Sequence, residues 1–264
     1  MLFRSRIPSV DFLLDRLEFA RFQKQRDQVA PPDRAIVDPR KTYFVLNPSG
    51  DLKGTEDRFV HWLKEMKAAG WDGVVGCPPS EQQLLDALAN RDLFMLVPFT
   101  SSRANTYRLH SYFGHGGAEQ YMRSHKVRHL QRCAATMLWG CSSGILKYMG
   151  DFDRTGTPYH YMLAGWYVTS SASKFLPLLI SSSSHSPTLV ANLWDVTDRD
   201  IDKFSQSVFN DLNLNLHAVK QWSSGGGDRS PMSIVNTVSR ARDSCKLRHL
   251  TGAAPVVYGI PFYL

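Results

Sequence analysis

Cysteine is scarce in this chain. Four residues, Cys77, Cys133, Cys141 and Cys245, are spread through 264, and none belongs to a CxxC pair. That spacing excludes a zinc ribbon and a disulfide scaffold and fits a reducing compartment. Long apolar runs are missing too. No stretch reaches the roughly 18 residues that a membrane-crossing helix needs. The opening MLFRSRIPSVDF has two arginines but no apolar centre, so it does not read as a secretory leader. GGGDRS (225–230) lacks the Gly-Lys-Ser/Thr of a phosphate cradle and reads as a loop. HKVRH (125–129) spaces two histidines at i and i+4, but without the glutamate of HExxH and inside the basic run MRSHKVRHLQR. It reads as a solvated helix face, and no metal or cofactor is expected. Acids are outnumbered by bases, 24 to 31, for a formal charge of +7. An excess that mild is an ordinary solvated surface, with no direct nucleic-acid site evident.

What is present is a regular alternation. TYFVLN (42–47) and WDGVVGC (71–77) each predict a short strand, and ATMLWG (135–140) and LVANLW (189–194) two more buried ones. A helix is predicted from Thr55, with Phe59, Trp62, Leu63 and Met66 on one face and Gly70 closing it. Ser80 and Gln83 form a capping box ahead of Leu84, Leu85 and Leu88. Ile201, Phe204, Val208 and Leu212 mark another inward face, a last helix is predicted from Pro231, and AAPVVYGIPFYL ends the chain. Buried strands alternating with amphipathic helices predict an α/β fold with a mostly parallel central sheet flanked by helices. The length suits one full domain. In such sheets ligands gather at the carboxyl ends of the strands.

MLWGCSSGIL (137–146) puts a cysteine at such an end. Ser142, Ser143 and Gly144 leave peptide N–H groups open to a close-lying substrate. YFGHGGAE sets His115 between glycines, which free the imidazole and admit a peptide backbone. A cysteine and a histidine distant in sequence but joined by the fold are a candidate nucleophile and base. The residue-level alternative is that Cys141 is simply a buried core cysteine, the commoner fate of a lone one.

The paired motifs GHG and GCSS resemble the active site of the separases, caspase-like cysteine endopeptidases of clan CD, in their fungal form. LNPSGDL (46–52), GWDG (70–73), YFGHG (112–116), GCSSG (140–144), NLWDVTDRDID (192–202) and GAAPVVYG (252–259) stand in the family's order and span nearly the whole chain. The resemblance implies a caspase-like fold over residues 1–264 and a catalytic dyad of His115 and Cys141. It also implies cleavage of the cohesin kleisin subunit after arginine, releasing sister chromatids at anaphase in nucleus and cytoplasm, with securin as inhibitory partner. The chemistry of the residues is consistent with it. His115 would take the thiol proton of Cys141, and the N–H groups of Gly116 and Cys141 would receive an oxyanion. An arginine in the first subsite needs carboxylates. Asp195, nearest the strand end, is the first candidate, followed by Asp202, Asp198 and Asp51. The acids at 198, 200 and 202 are also explained, in part, by the first turn of a helix.

Departures from the family are as informative. The long helical-repeat region of separases is expected to be absent here, as is the PWE-type segment ahead of Arg-x-Pro-Ser. Two segments, 95–111 and 166–186, interrupt the family pattern, either as loops or as Ser-rich insertions. A third reading is that both are retained introns. Trp166-Tyr167-Val168 must be encoded by a string containing a GTAYGT donor, and His185-Ser186 can end in CAYAG. Met95-Leu96-Val97 and His110-Ser111 behave the same way, in the same codon phase. Excision would restore Ala-Gly-Cys-Pro and Asp-Leu-Phe-Ile-Tyr-Phe-Gly-His. Two other functional readings stand beside the peptidase. One is a catalytically inactive fragment that binds securin or cohesin. The other is a hydrolase of another clan, which would leave the acidic WDVTDRDID without a role.

Overall fold

A computed structural model of the chain describes residues 6–7, 10, 13–14, 35–97, 122–149, 152–164, 188–222 and 232–264. Two residues, Ala35–Ile36, form β1, and Thr42–Leu46 form β2. Helix α1 (Lys53–Lys67) follows, then β3 (Asp72–Val75), α2 (Glu81–Asn90) and β4 (Leu93–Val97). After a short 3-10 helix, Ser124–His129, come β5 (Ala135–Leu138), the paired β6 (Lys147–Met149) and β7 (Phe152–Thr155), and α3 (Thr157–Met162). Strand β8 (Thr188–Asn192) leads to α4 (Asp198–Asp211), α5 (Leu216–Lys220), α6 (Ile234–Ala241), β9 (Pro255–Gly259) and β10 (Phe262–Tyr263).

The main sheet has the order β3-β2-β4-β5-β8-β9. Every pairing from β3 to β8 is parallel, and β9 closes one edge antiparallel to β8. Strands β2, β4, β5 and β8 are buried along their whole lengths. Helices on both faces cover them, and this is why their sequences are continuously apolar instead of alternating. Alternate residues still sort to opposite faces. Phe44, Leu46, Met95, Met137, Trp139 and Val190 belong to one core layer with α1, α4 and α6. Tyr43, Val45, Phe94, Leu96, Leu138 and Leu189 belong to the other, with α2 and α3. The mixed α/β architecture predicted from the sequence, mostly parallel and flanked by helices, is the one present.

Local chemistry sets the helix starts. Ser80 accepts from the Gln83 N–H at 3.2 Å, and the Gln83 side chain accepts from the Ser80 N–H at 2.8 Å. Such a box contributes about 1 kcal/mol. The last helix starts later than predicted. Its N-cap is Ser233, and Pro231 lies outside the described residues. HKVRH folds as a 3-10 helix, not an α-helix, so His125 and His129 do not share an α-helical face. Its Lys126 pairs with Glu81 at 2.8 Å. Met95–Val97, the start of the first atypical segment, are the buried end of β4, aligned with β2 and β5. The rest of 95–111, the whole of 166–186 and the loop 225–230 lie outside the described residues.

Because five adjacent strands are parallel, their carboxyl ends share one rim. Cys141 emerges there from β5, and Leu193–Val196 emerge beside it from β8.

Candidate active site

Strand β5 stops at Leu138, and the chain turns through Gly140–Gly144. Gly144 must be glycine because the turn lies directly on β8. A Cβ there would stand 2.9 Å from the Ala191 Cβ and 3.2 Å from Tyr258 Cε2. Ser142 is in the left-handed region, φ 53°, where a side chain is disfavoured. Its surroundings hold it there. The Ser142 N–H donates to Trp194 O at 3.1 Å, and its hydroxyl donates to Asp195 Oδ1 at 2.6 Å.

The Cys141 side chain is 7% exposed. Its thiol lies against one peptide segment, donating to Val196 O at 3.2 Å while the Val196 N–H approaches the sulfur at 3.4 Å. Burial pushes the thiol above its ordinary value. The Val196 hydrogen bond draws it back, and the charges of Asp195 and Asp198 push it up further. Three of the five N–H groups of Gly140–Gly144 have backbone acceptors among the described residues. Ser142 donates to Trp194 O, Ser143 to Gly140 O at 3.3 Å, and Gly144 to Asn192 O at 2.7 Å. Among the described residues the Cys141 N–H has no backbone acceptor and lies beside its own sulfur. A nucleophilic sulfur with a free peptide N–H at its side is the arrangement that acyl transfer requires.

The candidate acids divide into three groups. Asp195 is exposed and Asp198 half-buried, and both are near enough to act on the thiol. Asp202, one turn further along α4, is 1% exposed and held by α1. It accepts from Thr55 Oγ1 at 2.9 Å and forms an ion pair with Arg58. Burial pushes its carboxyl up to about 6 against the opposing pull of Thr55 and Arg58. Its second oxygen is buried without a hydrogen-bond partner among the described residues. Asp51 is exposed in the loop after β2, two strands away from β5. Asp200, by contrast, has a structural task, with Oδ2 accepting the Leu247 N–H at 2.8 Å. His115 and Gly116 lie outside the described residues, so the predicted approach of imidazole to thiol concerns atoms not described here. Among the described residues no three His, Cys, Asp or Glu side chains converge as a metal site would need.

Asn192 and Val196 stand inside the NLWDVTDRDID motif, but the motif assigns no role to either. Neither residue type signals a role at this rim, and both act through contacts more than 50 residues away in sequence.

The chain has clear relatives. The family described as "Separin, protease domain" matches residues 4–201. Separin of Emericella nidulans is 37% identical over 97% of this chain and 10% of its own length. Separin of Schizosaccharomyces pombe is 37% identical over 98% of this chain and 11% of its own length. Separase in the Saccharomyces cerevisiae separase-securin complex superposes with a TM-score of 0.71 at 31% identity, covering 99% of this chain and 14% of that one. The chain thus spans about a tenth of the length of the curated relatives it matches.

Proposed function

Since the chain belongs to the separin protease-domain family, we propose that it is a cysteine endopeptidase using His115 and Cys141, cutting the cohesin kleisin subunit after arginine. The observation that carries this reading is the Cys141 N–H, without a backbone acceptor among the described residues, beside the Cys141 sulfur at the carboxyl end of β5. In the reaction His115 takes the thiol proton as sulfur adds to the scissile carbonyl. The N–H groups of Cys141 and Gly116 receive the resulting oxyanion. The C–N bond then breaks, the leaving amine takes the proton from His115, and water hydrolyses the thioester. Asp195 is the best placed acid for the substrate guanidinium, with Asp198 behind it and Asp202 already paired with Arg58. Securin is the proposed inhibitory partner, a reading supported by the securin-bound yeast relative.

The raised, peptide-bound thiol gives specific support to a second reading, an inactive fragment that binds securin or cohesin. One assay separates the two. The purified chain is incubated with an Arg-containing kleisin peptide beside a Cys141→Ser control. Cleavage lost in the control supports the peptidase. Tight peptide or securin binding without cleavage supports the binding module. Segments 95–111 and 166–186 are proposed to be retained introns, and mature transcripts that consistently keep both would overturn that.

A further inference from the structure

We infer that Asn192 is a positioning residue that aims the Cys141 N–H, through the peptide unit that N–H belongs to; the inference rests on reading Cys141 as the nucleophile. Asn192 is the last residue of β8 and is fully buried. Its side-chain Nδ2 donates twice, to Trp139 O at 2.9 Å and to Gly140 O at 3.0 Å. The Gly140 carbonyl and the Cys141 N–H are the two ends of one planar trans peptide, so they point in opposite directions. Holding the carbonyl toward Asn192 turns the N–H away from it, and among the described residues that N–H has no backbone acceptor. Two oxygens fastened by one carboxamide fix two successive peptide planes, and this stops the pair from rotating together.

The backbone of Asn192 completes the grip. Its N–H donates to Ser143 Oγ at 3.1 Å, and that hydroxyl donates to Leu138 O at 2.9 Å. Its carbonyl accepts the Gly144 N–H at 2.7 Å, and the Gly144 carbonyl accepts from the Tyr258 hydroxyl at 2.7 Å. The nucleophile turn is therefore fastened before and after Cys141. Asn192 itself touches neither thiol nor substrate. A side chain with only acceptors, or none, would leave Trp139 O without this donor and would weaken the hold on Gly140 O.

Asn192→Asp tests this with almost no change in shape. As a carboxylate it faces two carbonyl oxygens with no proton to offer. As the neutral acid it donates one hydrogen bond. With an Arg-containing kleisin peptide, kcat at neutral pH is expected to fall on the order of 100-fold, the scale of a lost oxyanion donor. KM is expected to stay within about threefold, because ground-state binding does not use the N–H. As the pH is lowered, the ratio of variant to wild-type kcat is expected to recover in part. Alkylation of Cys141 by iodoacetamide forms no oxyanion, and its rate is expected to stay within about twofold of wild type. Wild-type kcat in the variant, or equal losses in cleavage and alkylation, would overturn the inference. Should the variant fail to fold, the wild-type chain decides. The Asn192 side-chain amide resonances are expected to shift when a peptidyl-arginine aldehyde forms its adduct on Cys141, and unmoved resonances in the adduct count against the proposal. A wild type that neither cleaves nor forms the adduct removes the reading of Cys141 and this inference with it. A wild type that cleaves beside an unimpaired Asn192→Asp removes the inference alone.

Discussion

Strand β5 carries a cysteine just outside each end. Cys133 lies two residues ahead of it and Cys141 three residues beyond. Both are buried, at 2% and 7% exposure, yet their chemistry differs. Burial pushes the Cys133 thiol up to about 12, opposed by Arg132 and the Thr136 hydroxyl. Burial raises Cys141 as well, but there the sulfur touches both polar groups of the Val196 backbone. The amino rim of a parallel sheet is sealed by what precedes each strand. The carboxyl rim is where chains leave, exposing N–H groups and admitting loops. Reactivity here follows from which rim a thiol stands on and what lines it, more than from burial.

The sharpest way to break the comparison is to remove the acid at the active rim. Asp195→Asn is expected to cut kcat/KM for an arginine peptide on the order of 100-fold, by leaving the guanidinium without a carboxylate. The same change removes a charge that raises the Cys141 thiol. The pH midpoint of iodoacetamide alkylation should therefore move down, while the hydrogen bond from Ser142 can still be accepted by the new amide. Cleavage that survives would remove the guanidinium role, and an alkylation profile that does not move would remove the effect on the thiol.

The comparison itself is tested by labelling. In the folded chain at pH 8, limited alkylation followed by peptide mass mapping is expected to modify Cys141 more than about tenfold faster than Cys133, because the thiolate is the reactive form. Equal rates would erase the distinction between the rims.

The smallest expected effect concerns Asp202. Its carboxyl is raised in the folded chain from an ordinary 3.8 to about 6. Between those values the folded state holds more protons than the unfolded one, so this group's contribution to stability falls as pH rises from about 4 to about 6. His160 acts with the opposite sign. Burial, helped by Arg128, His125 and His129, pushes it down to about 4, so its contribution rises with pH up to its ordinary 6.5. Asp202→Asn should therefore make stability in urea climb more steeply over pH 4–6 than in the wild type. An unchanged slope would show that the carboxyl is not raised.

Much of the frame was legible because it is local and periodic. The strands at 42–46, 72–75, 135–138 and 188–192, the face of α1 and the Ser80–Gln83 box follow from runs, spacings and caps within a few residues. The position of Cys141 at a strand end was legible for the same reason. The pairing of Asp202 with Arg58 was not, since 144 residues separate them and either side chain would read as a solvated helix surface. Nor was the work of Asn192, whose partners lie 52 and 53 residues back. The antiparallel sense of β9 was likewise out of reach, because an apolar run carries no direction. The acids of WDVTDRDID look alike in sequence and are sorted only by the fold: Asp195 onto Ser142, Asp200 onto the Leu247 N–H, Asp202 onto α1.

Two indoles flank the thiol at different depths. Trp139 is completely buried, with the ring of Phe204 5.8 Å away and that of Phe209 6.1 Å away. Trp194, next to Asp195, is 37% exposed and tethered by its Nε1 to Leu250 O at 3.0 Å. The placement makes the rim optically legible. A buried indole emits toward the blue and is shielded from aqueous quenchers, while an exposed one emits toward the red and is not. A peptide seated over Asp195 would shade Trp194 from iodide and leave the blue component unchanged, whereas a disturbance spreading into the core would alter the emission of Trp139. With the chain's other four tryptophans replaced by phenylalanine, substrate docking and loosening of the β5 turn would thus carry different colours.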